Sequence, residues 1–226
     1  TVLSLIGDSL VPIGKVDGLG ETEQIYSVRF MGDTAYVVTF RQTDPLYAVD
    51  LTDPRNPTVV GELKIPGYSA YLHPVGDGLL MGVGQDATDD GVVQGTQVSI
   101  FDVSDLSDPK RLDTYSLSEG TNSQVEYDHR AFLYWEGLAM IPVQQWWWDD
   151  KGEEVFMGAV GLSVEIDGEL TEVGQVVHPG GERKGWDWRA QILRSVAVDG
   201  SVYTISSKGI MKSALDTLDE QAWLEF

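Results

Sequence analysis

One short stretch of sequence recurs along this chain: VPIGKVDGLG at 11–20, VVGELKIPGY at 59–68 and EVGQVVHPGG at 172–181. Each copy sets an apolar or small run before a glycine, then alternating side chains, then a turn containing glycine. Between the copies lie paired strand segments joined by tight turns: SVRFMGDTAYVVTF at 27–40, LHPVGDGLLMGVG at 72–84, FLYWEGLAMIPV at 132–143 and SVAVDGSVYTIS at 195–206. A unit returning every roughly 45–60 residues, with four strands in each, predicts β-propeller blades. The expected architecture is therefore all-β. It comprises about four full four-stranded blades at 26–65, 69–117, 130–177 and 191–226, with 1–17 a partial N-terminal blade. The half-unit reads as the tail of an upstream blade, so the chain is expected to be a fragment of a longer propeller forming a single domain.

Strand connections divide into two kinds. Those between first and second strands are minimal: Met31-Gly32-Asp33, Gly76-Asp77-Gly78, Glu136-Gly137 and Asp199-Gly200. Those between third and fourth strands are short and acidic, as in Asp50-Leu51-Thr52-Asp53-Pro54, where Asp and Thr side chains accept local backbone N–H groups. The remaining connections, near 17–25, 85–95, 118–129, 145–154 and 178–190, are longer and chemically unusual. In antiparallel four-stranded units these all emerge on one side. One face is thus expected to carry binding loops on a rigid scaffold.

The chain has 36 acidic and 15 basic residues, a net charge of −21, which disfavours a nucleic-acid role. It has no cysteine, hence no disulfide, thiol nucleophile or thiolate metal site. No run reaches the ~18 apolar residues of a membrane span. Thr1 is not an initiator methionine, so a processed product or excised domain is expected.

The block 26–84, together with DHRAFLYWEGLAMIPV at 128–143 and RSVAVDGSVYTISSKGIMKSALDTLDE at 194–220, carries a family resemblance. It resembles secreted bacterial and archaeal proteins with a C-terminal β-propeller domain distantly similar to WD40 repeats. The resemblance implies an extracellular or cell-envelope location and brings no catalytic residues with it.

Several clusters are candidate sites. Trp146, Trp147 and Trp148 precede Asp149 and Asp150, while Trp186 and Trp188 flank Asp187 on another long connection. Aromatic rings beside carboxylates suit glycan or peptide recognition, and packing between blades is the competing reading. His129 stands just before an innermost strand, and Arg41 is one of few cations on an acidic chain. Asp86, Asp89 and Asp90 offer hard oxygens, and calcium is the ion they would take, against the reading of a solvated acidic loop. No cofactor is required by any motif. The leading expectation is a non-catalytic binding or scaffolding module meeting a protein, peptide or glycan on its long-loop face, with a homodimer as its assembly. The alternative is a metal-assisted hydrolase or lyase with acidic and aromatic residues at the channel mouth.

Overall fold

The computed structural model describes residues 1–20, 23–40, 44–88, 90–149, 152–181 and 187–226. Strands β1 (Val2–Ile6) and β2 (Ser9–Gly14) form a lone hairpin. Blade 1 holds β3 (Gln24–Met31), β4 (Thr34–Phe40), β5 (Asp44–Asp50) and β6 (Thr58–Ile65), paired in sequence order. Blade 2 follows with β7 (Tyr68–Gly76), β8 (Leu79–Ala87), β9 (Val93–Asp102) and β10 (Lys110–Ser116). Blade 3 contains β11 (Thr121–Ser123), β12 (Leu133–Trp135), β13 (Leu138–Asp149), β14 (Gly152–Val164) and β15 (Leu170–Val176). Blade 4 has β16 (Ile192–Val198), β17 (Ser201–Ser206), β18 (Gly209–Ala214) and β19 (Glu220–Glu225). All pairings are antiparallel, and the strand order matches the blade reading of the sequence.

The tight turns form for the anticipated reason. Glu136-Gly137 and Asp199-Gly200 both have positive φ at each residue, the twist that a two-residue hairpin requires. Asp50, Asp102 and Asp105 each accept the backbone N–H two residues on, at 2.8–2.9 Å. These carboxylates build turns.

Burial follows the stacking of blades. Strand β9 is buried at seven consecutive positions because blades 1 and 3 cover both its faces. Strand β18 alternates buried and half-buried instead, since blade 3 covers only one side of blade 4. Phe101, Met140 and Leu162 sit at 0–1% exposure in the three inter-blade cores. Each stabilises by about 1.5–3 kcal/mol. The first strands of successive blades approach one another, β3 against β7 and β12 against β16, which makes them the inner edge.

The repeated glycine now has a cause. Each fourth strand carries a β-bulge, at Ile13, Val60, Leu112, Val173 and Gln221, and the next residue faces the following blade where one exists. A Cβ on Gly14 would lie 2.2 Å from the Pro54 carbonyl oxygen, and one on Gly61 would lie 2.0 Å from that of Leu106. In blade 2 the position is Asp113, whose carboxylate accepts the Leu170 N–H of blade 3 at 2.8 Å. Each fourth strand that is followed by a blade is thus latched to that blade's acidic turn or its flank.

Two expectations need correction. Residues 85–95 and 145–154 are not loops for most of their length, because β8–β9 and β13–β14 continue as hairpins through them. Trp146 pairs with Val155, Trp147 with Glu154 and Trp148 with Glu153; aromatic and β-branched content favours pairing over an open loop. The first strand of blade 3 is also not continuous over 130–135. It is split into β11 and β12 by 3-10 turns at 124–126 and 129–131, which a Ser123/Glu126 capping box and an Asp128 cap hold in place.

Candidate functional site on the loop face

Strand direction places the starts of β3, β7, β11 and β16 on one face with the ends of β4, β8 and β13. Around the inner edge of that face runs a band of aromatic and polar side chains. Tyr26, Phe40 and Tyr68 form a cluster with ring centroids 4.5–5.7 Å apart. The Tyr68 hydroxyl donates to Glu126 at 3.4 Å, and Gln85 Nε2 donates to the same carboxylate at 2.5 Å. The Ser123 backbone N–H adds a third bond at 2.9 Å. Burial pushes the Glu126 carboxyl up, while these three donors pull against that rise.

From there the band reaches two matching turns. Asp128-His129-Arg130-Ala131 and Asp187-Trp188-Arg189-Ala190 are copies of one motif. In each, the Asp caps a 3-10 turn through the N–H of the Arg two residues on, and that guanidinium returns to the same carboxylate. The guanidinium bonds hold Asp128 well below the usual carboxylate range, and in the same way Asp187 falls to about 2. Arg194 Nη2 of β16 also reaches Asp128 at 2.6 Å, and Gln191 Nε2, at the end of the Asp187 turn, donates to Gln124 of the Ser123-capped turn at 2.9 Å. Tyr127, which ends the 124–126 turn just before Asp128, is 74% exposed, and Trp188 of the second turn is 65% exposed.

The sequence candidates distribute as follows. Trp188 lies in the band and exposed, as does His129, whose ring stacks on Tyr71 at 6.3 Å. Trp146 is 38% exposed on the β13–β14 hairpin. Trp147, Trp148 and Asp149 belong to the backbone of β13, but their side chains lie outside the described residues, as do Asp150, Trp186, Arg41 and Asp89. Asp86 accepts the Ala87 N–H at 2.9 Å, and Asp90 follows in the turn before Val92. Among the described residues no three His, Asp or Glu side chains converge as a metal site.

Sequence reasoning passed over Tyr26, Tyr68, Glu126, Tyr127 and Arg194. The doubled Asp-x-Arg-Ala motif was the signal available for the turns. Nothing local marked Tyr26 or Tyr68, since their role comes from blades meeting.

Four-stranded antiparallel sheets stacked face to face around a common inner edge define a β-propeller segment. More particularly, the chain belongs to the beta propeller domain family, whose match covers residues 1–218. An uncharacterised protein of Methanocaldococcus jannaschii is 37% identical over 219 residues, which is 97% of this chain and 30% of that protein. An uncharacterised protein of Archaeoglobus fulgidus is 44% identical over 145 residues, 63% of this chain and 22% of that protein. The chain therefore spans less than a third of the length of either relative. Among solved structures, a europium-containing methanol dehydrogenase superposes with a TM-score of 0.48 at 10% identity, over 88% of this chain and 42% of its own.

Proposed function

We propose that this chain is a non-catalytic binding module whose partner, a peptide or glycan segment of a larger molecule, docks on the loop face. The observation that carries this reading is the pair of exposed aromatic side chains, Tyr127 at the junction of the Ser123-capped and Asp128-capped turns and Trp188 on the Asp187-capped turn. Rigid turns hold large rings in place before a partner arrives, so less entropy is lost on binding. The perturbed groups do not argue for chemistry. Glu126 is hydrogen-bonded by three donors, and His178 has both ring nitrogens bonded to hydroxyls. Their displaced pKa values are accounted for by packing. An extracellular or envelope setting belongs to the same proposal, supported by the family resemblance set out above. So does self-association into a homodimer, supported by bare apolar side chains at both ends of the blade arc.

A glycan array and a displayed peptide library, both probed with the purified chain, test the docking face. A specific hit that weakens at least roughly tenfold in Tyr127→Ala and in Trp188→Ala is expected, as aromatic anchors commonly carry 2 kcal/mol or more. Binding untouched by both substitutions, or no hit in either library, would overturn the reading.

A further inference from the structure

The innermost strands carry cations in a chain that is acidic overall. Although acidic residues outnumber basic ones by 36 to 15, the strands QIYSVRFM, YSAYLHPVG, LYW and ILRSVAV contain no Asp or Glu. They carry Arg29, His73 and Arg194 instead, and the turn leading into β12 adds His129 and Arg130.

These side chains form a connected strip. The half-buried Arg29 of blade 1 lies beside Tyr71 and His73 of blade 2, close enough for its charge to act on both. The Tyr71 hydroxyl lies 2.9 Å from His73 Nδ1, and its ring stacks on His129 of blade 3. Beside His129, the Asp128 carboxylate is shared by Arg130 and Arg194 of blade 4, at 3.0 and 2.6 Å. One carboxylate facing two guanidiniums leaves a net positive charge. Arg29 makes no ion pair among the described residues, and its buried Nε has no acceptor there. A buried donor without an acceptor is costly, and an arginine fork is well shaped for an oxyanion. The rings of Phe132 and Tyr134, within 4.9–5.6 Å of His73, wall the strip with apolar surface and lower the local dielectric.

We propose that this inner edge, from Arg29 past Tyr71 to Arg130 and Arg194, is a binding site for a small multivalent oxyanion. Carboxylate and phosphate groups share the chemistry it recognises, planar or tetrahedral oxygens able to accept two N–H bonds at once. A ligand with two or more such groups spans the strip and bridges cations held by separate blades. The site shares the Asp128–Arg130 turn with the aromatic platform, but its small anionic probes test it independently of any peptide or glycan.

Calorimetric titration of the whole chain with sodium citrate and with sodium pyrophosphate, in sodium chloride of matched ionic strength, tests the assignment. Saturable binding of at least one probe is expected. Arg130→Gln, at an exposed position that does not endanger folding, and Arg29→Gln should each weaken it by roughly tenfold or more, the loss of a charge-assisted hydrogen bond. Arg29→Lys should retain part of the affinity, and Arg55→Gln, an exposed arginine on the opposite face, should bind as the parent does. Tighter citrate binding assigns a carboxylate ligand and tighter pyrophosphate binding a phosphate. Absence of saturable binding by either probe would overturn the proposal. So would affinity unchanged in Arg130→Gln, or lost equally in Arg55→Gln.

Discussion

His178 sits at 0% exposure, with Ser206 Oγ 2.8 Å from Nδ1 and Thr204 Oγ1 2.8 Å from Nε2. The Trp223 ring crosses it edge-on at 4.8 Å. Burial lowers its pKa from 6.5 to about 4, because the charged imidazolium would be stranded away from water. Between those values the unfolded chain binds the proton and the folded chain does not. The stability held by the neutral ring is therefore complete above pH 6.5 and falls as pH drops towards 4, by about 3 kcal/mol in all. Urea unfolding of the parent and of His178→Gln at pH 7, 6, 5 and 4 should show this as a difference between the two curves. The Gln side chain keeps hydrogen-bonding groups near Ser206 and Thr204 but does not titrate. Parallel curves would mean that the ring is not held neutral. His73, also lowered to about 4 by burial and by Arg29, adds to the drop in both proteins with the same sign.

At the scale of the element, the bulge-and-glycine latch explains why VxG-like segments repeat. The bulge turns the backbone of the fourth strand towards the next blade, and the missing side chain lets the acidic turn approach. Gly61→Ala should destabilise by about 1–3 kcal/mol, since its Cβ would meet a backbone carbonyl rather than a flexible side chain. Denaturant melts of Gly61→Ala beside Gly200→Ala separate this from a conformational effect. Gly200 has positive φ, 70°, and open space around it, so its cost comes from strain alone. In blade 4 the equivalent residue is Ala222, and no further blade lies against it in this structure. A fall in stability for Gly200→Ala with none for Gly61→Ala would contradict the latch.

Across the whole molecule, the arc has two bare ends. On blade 1, Val28 and Phe30 are 44% and 66% exposed beside a cleft of 440 Å³ also lined by Val37 and Val49. On blade 4, Val196, Val198 and Leu224 are 44–62% exposed. Among the described residues β1 pairs only with β2 and β19 only with β18, so residues 2–16 do not pair against 221–226 there. Apolar surface of this kind drives association. Multi-angle light scattering of the isolated chain should show mass rising with concentration, and Phe30→Asp or Leu224→Asp should return it towards the monomer. A constant monomeric mass for the parent would remove the homodimer from the proposal.

Period-2 apolar runs, the turn residues between them and the returning glycine are local signals, and they determined the strands, their order within each blade and the number of blades. The acidic turns were readable for the same reason, since Asp50 and Asp102 bond within two residues of themselves. The Trp146–Trp148 run misled because composition does not state whether an aromatic stretch pairs with a partner strand; its hairpin depends on the residues 152–155 opposite. The split first strand of blade 3 was hidden by the equal strand propensity of 130–135, and only the caps at Ser123 and Asp128 override it. The inner-edge strip and the aromatic band required tertiary structure altogether. Arg29 and Tyr71 are brought side by side, and Tyr68 bonds Glu126 and Arg194 bonds Asp128, across sequence separations of 42, 58 and 66 residues, and no local pattern encodes which side chains blade stacking brings together.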